Sequence, residues 1–246
     1  MADTAGKIDI GRVLSNTFGV IGRNPVVFLG LSLLIVGLPN SAVQLIQGNA
    51  AAVTGAFASP TVIITGLLGF FVFLFLSVIL QATLIVATLN DLANKEINLG
   101  DCISQAIRKF WPLLGLGLFF GLGIALGFLL LIVPGVILYL MWIVAAPVMM
   151  AEDKGIMESF KRSTELTSGS KGMIFLLIII FVVAAAIIGG IGGAIGVFSV
   201  TASVIAATII NTITGALQGA GIASIYVDLR TAKEGTDSGT LADVFS

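Results

Sequence analysis

The chain has 246 residues, 57% apolar and only 10% charged, with a mean hydropathy of +1.12; soluble domains carry roughly a quarter charged residues, so a water-soluble globular fold is excluded. Twelve Lys and Arg against thirteen Asp and Glu leave a net charge of −1, and without a concentrated basic run no nucleic-acid partner is expected. Histidine is absent and Cys102 is the single cysteine, which excludes disulfide frameworks, Cys/His zinc sites and histidine-based triads within one chain; no cofactor is expected.

Residues 1–6 read as a polar lead. From Ile8 to Gly22, apolar Ile10, Val13, Leu14, Thr17, Phe18 and Ile21 recur at helical spacing while Asp9, Arg12, Ser15 and Asn16 lie away from them. This predicts an amphipathic helix in the membrane surface, its stripe toward acyl chains or neighbouring spans. A cytoplasmic extension of the first span is the alternative, and Asn24-Pro25 argues instead for a break. Basic residues before an apolar stretch resemble a signal peptide, but Arg23 sits late and no small-x-small site follows, so the stretch reads as an uncleaved first span. That span runs from Pro25 to Ile46 with a kink at Pro39.

An uncharged loop from Gln47 to Pro60 leads to a second span, Thr61 to Leu89, with Gln81, Thr83 and Thr88 on its later half. Asp91 to Glu96 returns the chain to water. A second surface helix is predicted from Asp101 to Phe110, with Asp101 as N-cap, a stripe of Ile103, Ala106, Ile107 and Phe110, and Arg108 and Lys109 where a helix C-terminus favours cations. Trp111 belongs at headgroup level. The third span, Pro112 to Ile132, turns at Pro134-Gly135 and returns as the fourth span to Met150, making the two antiparallel neighbours. A third surface helix covers Gly155 to Leu166, with Gly169 as its stop. The fifth span runs from Gly172 to Gly190 and the sixth from Thr201 to Tyr226. Gly189-x-x-x-Gly193, Gly192-x-x-x-Gly196 and Gly215-x-x-x-Gly219 mark close helix contacts within the bundle.

Several apolar runs exceed the ~20 residues that about 30 Å of hydrocarbon requires, and none alternates as a barrel strand does. The fold class is therefore an all-α integral membrane protein: six transmembrane helices and three cytoplasmic-side amphipathic helices. Residues 1–235 form one membrane domain and 236–246 a polar cytoplasmic tail. The order surface helix, span, span occurs three times, introduced by Ile8-Asp9-Ile10-Gly11, Ile97-Asn98-Leu99-Gly100 and Glu152-Asp153-Lys154-Gly155, and suggests a threefold internal repeat.

All charges fall in four segments: the start to Arg23, residues 91–109, residues 152–171, and the chain from Asp228. Six spans put these on one side, which the positive-inside rule makes the cytoplasm, with both termini inside. No ionisable residue lies within an assigned span, which disfavours ion-coupled transport. No Walker loop, dinucleotide fingerprint or metal-ligand helix is present. Lys161 and Arg162, with Arg230 and Lys233, are candidates to bind lipid phosphate. The alternative is that Arg162 and Arg230 pair with Glu152, Asp153, Glu158 or Asp228 to lock surface helices to the bundle. Gln81, Asn211 and Gln218 are candidate polar contacts inside the membrane, bonding across the bundle or lining a path.

Two stretches carry a family resemblance. V-P-G-V-I-L at Val133–Leu138, A-A-P-V at Ala145–Val148, E-D-x-G at Glu152–Gly155 and S-x-x-R-S-x-x-L-x-x-G at Ser159–Gly169 form the first, and Y-V-D-L-R-x-x-K-E-G at Tyr226–Gly235 the second. The wording resembles the membrane domain of bacterial glycerophosphoryl diester phosphodiesterases and of related stand-alone inner-membrane proteins of unassigned function. The resemblance implies a six-helix bacterial inner-membrane domain. It does not bring the phosphodiesterase reaction, which belongs to a separate soluble barrel that these residues do not contain, and it supplies no catalytic residues.

The sequence reading is thus a non-enzymatic bacterial inner-membrane protein that engages membrane lipids or serves as a scaffold for another membrane protein or a second copy of itself. The alternative is a carrier or scramblase for a lipid or small apolar solute. A membrane enzyme would need a pocket in which Arg162 and an acid converge.

Overall fold

The structure, a computed structural model, describes residues 8–39, 41, 60–196 and 200–235. The polar lead, the last turns of the first span, the loop of residues 47–59 and the tail of residues 236–246 lie outside them. Among the described residues all regular structure is helical. Five helices are long and apolar enough to cross a membrane, or six if the bent pair Ile10–Arg23 and Pro25–Gly37 is one span.

Helix α1, Ile10–Arg23, starts at Asp9, whose carboxylate accepts the Arg12 N–H at 3.1 Å, and ends at Asn24. Pro25 opens α2, Pro25–Ser32, which continues through a π-helical turn at Leu33–Gly37; the two directions differ by 89°. Pro39 lacks the N–H that would bond the Ile35 carbonyl, and the turn holding Ile35 widens in response. Helix α3 is Pro60–Leu92 and α4 is Leu99–Arg108. The cap of α4 is Asn98, whose side chain accepts the Gly100 N–H at 3.0 Å, so the helix begins before the predicted Asp101, which sits in its first turn. Asp9 and Asn98 thus hold the same place in their matching words, whereas in the third word Gly155 is itself the N-cap.

Helix α5, Phe110–Leu130, is followed by α6, Ile132–Trp142. The hairpin turns at extended Leu131, not at Pro134-Gly135. Proline is tolerated in a first helical turn, where its missing N–H has no partner to lose, and Pro134 occupies that turn of α6. A Cβ on Gly127 would lie 2.8 Å from the Gly135 Cα, so this glycine pair lets the two backbones touch. After a two-residue turn the fourth span resumes as α7, Ala145–Glu152, where Pro147 forbids a continuous ladder. The break frees the Met141 carbonyl. The next helix, α8 (Ile156–Thr167), supplies its partners: Ser163 Oγ donates to it at 2.7 Å and Thr167 Oγ1 at 3.4 Å. Gly169, at φ +81°, ends the connection as predicted.

Helix α9 is Lys171–Gly196 and α10 is Val200–Glu234. The last helix runs two turns past the predicted Tyr226 end, carrying Asp228, Arg230 and Glu234 on one rigid rod. The buried core gathers around its later half with the later half of α3 and all of α7: Leu84, Ile85, Leu89, Met149, Tyr226 and Leu229 are almost fully enclosed. On the short helices only part of each apolar stripe is covered by neighbouring helices. Val13, Thr17 and Val20 are covered on α1, and Cys102 and Ala106 on α4, but Phe18 and Ile107 are more than half exposed. Each helix meets its neighbours along one line of contact, which leaves the flank of a broad apolar stripe uncovered.

Candidate functional site

The charged residues are concentrated at one end of the bundle because carboxylates and bases from different segments pair there. Arg12 of α1 bonds Asp228 of α10, and the Asp9 N–H donates to the same carboxylate at 2.8 Å. Asp228 is fully enclosed at its side chain, a placement that costs several kcal/mol unless the charge is paired. Arg23, at the other end of α1, bonds Asp91 of α3, where the Asn24 amide also donates at 2.8 Å. Lys109 reaches Asp153 at 2.6 Å and the Met149 carbonyl at 2.7 Å. Arg162 of α8 bonds Glu234 of α10. These four pairs link the four charged segments in a closed circuit, first to second, second to third, third to fourth and fourth to first.

Within that circuit lies a smaller ring. Glu152 accepts both Arg162 Nε contacts at 3.1 Å, a bond from Lys154, and the Tyr226 hydroxyl at 3.1 Å. Arg162 continues to Glu234, Glu234 accepts Arg230 Nε at 2.9 Å, and Arg230 returns to the Tyr226 oxygen at 3.5 Å. Arg162 and Arg230 are therefore committed to carboxylates. Lys161 and Lys233 are exposed and form no ion pair among the described residues. Of the four bases named as phosphate candidates, Arg162 and Arg230 meet at Glu234, already paired with carboxylates. Of the proposed locking pairs Arg162–Glu152 is present, but Asp153 serves Lys109, Asp228 serves Arg12, and Glu158 accepts the Gly155 N–H at 3.2 Å. Lys109 holds the exposed Asp153 carboxyl below the usual carboxylate range. Cys102 is fully buried, and burial pushes its thiol up.

Two concavities share the walls α3, α5 and α7. The first, about 860 Å³, opens at the charged end between the α3–α4 connection, α4 and the α7–α8 connection. Its rim carries Lys95, Glu96, Asp101, Arg108, Lys109 and Lys154, and its floor Pro112, Met149 and Met150. The second, about 350 Å³, is a largely apolar groove lined by Ile85, Leu113, Phe120, Trp142 and Ala146, with Gln81 and Gln218 as its two amides. Pro112 of the cleft and Leu113 of the groove are consecutive, and Met149 stands one helical turn beyond Ala146, so the polar cleft sits over the apolar groove. Asn211 does not line that groove, so the three predicted amides do not meet in one path. Gln81 and Gln218 make no hydrogen bond among the described residues.

Sequence reasoning missed the cleft, although part of its signal was present: Asp101, Gln105 and Arg108 follow the i, i+4, i+7 spacing of one helix face. What the spacing could not show is that this face looks toward residues 149–155. Arg162 lines neither concavity. Among the described residues no three His, Cys, Asp or Glu side chains are grouped to hold a metal ion. Compared with known proteins, the chain matches no family model, no curated protein and no solved structure.

Proposed function

We propose that this chain is a multi-pass protein of a bacterial inner membrane, both termini cytoplasmic, that binds lipid at the charged end of its bundle and performs no reaction of its own. The observation that carries this reading is the polar cleft standing over an apolar groove between the same three helices, a place for a headgroup above a place for an acyl chain. Orientation follows from the positive-inside rule, because the base-bearing segments are joined at that end. Exposed Phe18, Ile107, Trp111 and Met157 on or beside the short helices support their lying in the interface, where apolar side chains meet acyl chains. The matching caps Asp9 and Asn98, with two spans following each short helix, support a repeated unit.

Native mass spectrometry of the chain, extracted gently from its own membrane, tests the proposal. The expected species is the chain with stoichiometric phospholipid. Gly117 lines the groove, and a Cβ there meets nothing within 4 Å, so Gly117→Leu should fill the groove and reduce retained lipid at unchanged thermal stability. Arg162→Ala, outside both concavities, should lower stability and leave the lipid in place. A stoichiometric protein partner without lipid would replace this reading with a scaffold. Gln81 and Gln218, two amides facing an apolar groove, favour a carrier or scramblase as the second reading; a liposome flip assay abolished by Gln81→Leu would move the conclusion there.

A further inference from the structure

Resting on the lipid reading, we infer that the cleft recognises a zwitterionic headgroup with both a phosphate and a primary ammonium, the phosphoethanolamine group. The charge balance of the rim is the starting point: four bases, Lys95, Arg108, Lys109 and Lys154, face three acids, Glu96, Asp101 and Asp153. A site for an anionic headgroup would present bases without that opposition. Lys109 is answered by Asp153 and Lys154 by Glu152. Arg108, Glu96 and Asp101 are exposed to the cleft and carry no ion pair among the described residues.

Their placement separates the two signs. Asp101 and Arg108 lie on one face of α4 and, at the helical rise, about 10 Å apart, with Gln105 between them. Arg108 offers a planar fork suited to two phosphate oxygens. Lys109 beside it directly precedes the third span, the boundary where lipid phosphates lie. A primary ammonium has three N–H donors, and Asp101, Glu96 and the Gln105 carbonyl oxygen are the acceptors. A quaternary ammonium has no N–H to donate, and a glycerol headgroup brings no cation to the carboxylates. The apolar floor of Pro112, Met149 and Met150 and the groove below it favour the lipid-borne group over the free one.

The test is a titration of the delipidated full chain, read by native mass spectrometry, with phosphatidylethanolamine, phosphatidylcholine and phosphatidylglycerol of matched acyl chains. The ethanolamine lipid should bind about tenfold more tightly than either, the scale of one or two charge-assisted hydrogen bonds. Asp101→Asn with Glu96→Gln should erase the preference while keeping binding. Arg108→Ala should weaken all three lipids, and Lys161→Ala, outside the cleft, should change nothing. Equal binding of the three lipids by the native chain would overturn the headgroup assignment and leave the lipid reading standing. Failure of every lipid to bind would overturn both. Full competition by free phosphoethanolamine at equal concentration would show that the ligand is the soluble group and overturn the lipid-borne assignment.

Discussion

The two halves of the bundle hold together in different ways. Toward the charged end, α3 is closed from Ile79 to Leu89, α7 is buried almost throughout, and α10 is enclosed around Ala216, Ala220, Tyr226 and Leu229. In the other half the same helices leave more apolar surface uncovered: Leu67, Leu68, Phe70, Phe71 and Val72 of α3 and Ile205 and Ile209 of α10 are more than half exposed, and the hairpin tip reaches 82% exposure at Leu129. Both halves are built from Leu, Ile, Val and Phe, so hydrophobicity does not separate them. In a bilayer lipid tails are as apolar as leucine, and helix association depends on close packing and polar contacts. The ion pairs occur where the charged segments meet, while the other half is joined by close small-residue contacts, Gly127 on Gly135, Gly37 on Thr212 and Gly192 on Ile210.

The most direct way to break the closed half is to remove Asp228. Its carboxylate is buried and receives both Arg12 and the Asp9 N–H, so it fastens both the first turn of α1 and the N-terminal cap region to the last helix. Asp228→Ala should cost about 3 kcal/mol, the upper range for a charge-assisted hydrogen-bonded group, because the Asp9 N–H is left without its partner. Reversible denaturation in mixed micelles measures it; a change below about 1 kcal/mol would mean that α1 is held by its packing and by the Arg23–Asp91 pair rather than by Asp228.

The glycine pairs sharpen the comparison. A Cβ at Gly219 would lie 2.6 Å from the Leu84 Cβ, whereas one at Gly189 or Gly193 meets nothing within 4 Å. Gly219→Ala should therefore destabilise by about 2 kcal/mol through overpacking of α3 against α10. Gly189→Ala should stay within about 0.5 kcal/mol, as surface substitutions do. The same denaturation curves decide it, and equal effects at the two glycines would contradict the difference between the halves.

That the chain is helical with five or six helices able to cross a membrane was legible because about 20 apolar residues in a row have few other uses and charge avoids hydrocarbon. The Asn24-Pro25 break and the Gly169 stop were legible for the same local reason, a backbone constraint written in one residue. The hairpin turn was misplaced because Pro-Gly is a turn signal and also fits a first helical turn. The pairing of the candidate phosphate-binding bases was not legible for a different reason. Lys161, Arg162, Arg230 and Lys233 are close to helix ends that do come together, but which base meets which acid depends on rotation about each helix axis. That rotation is set by contacts such as Leu84 on Gly219, between residues 135 positions apart, which no local pattern carries. The cleft required two such rotations at once, of α4 and of the α7–α8 connection.

The smallest expected effect concerns how α8 closes the break in the fourth span. Ser163 donates to the Met141 carbonyl at 2.7 Å, and the single proton of the Thr167 hydroxyl is shared between the Ser163 carbonyl at 2.9 Å and, more weakly, the Met141 carbonyl at 3.4 Å. A neutral hydrogen bond contributes about 1 kcal/mol, and an unmade one leaves a desolvated carbonyl. Ser163→Ala should cost about 1 kcal/mol, because Thr167 stays in reach of the same oxygen. Thr167→Val alone should cost less, since its contact is the longer one. The double variant should then exceed the sum of the singles, because the carbonyl has lost both donors; contacting residues that share a partner couple by at least about 0.5 kcal/mol. Strict additivity would mean that the two hydroxyls do not share the Met141 carbonyl as a common partner.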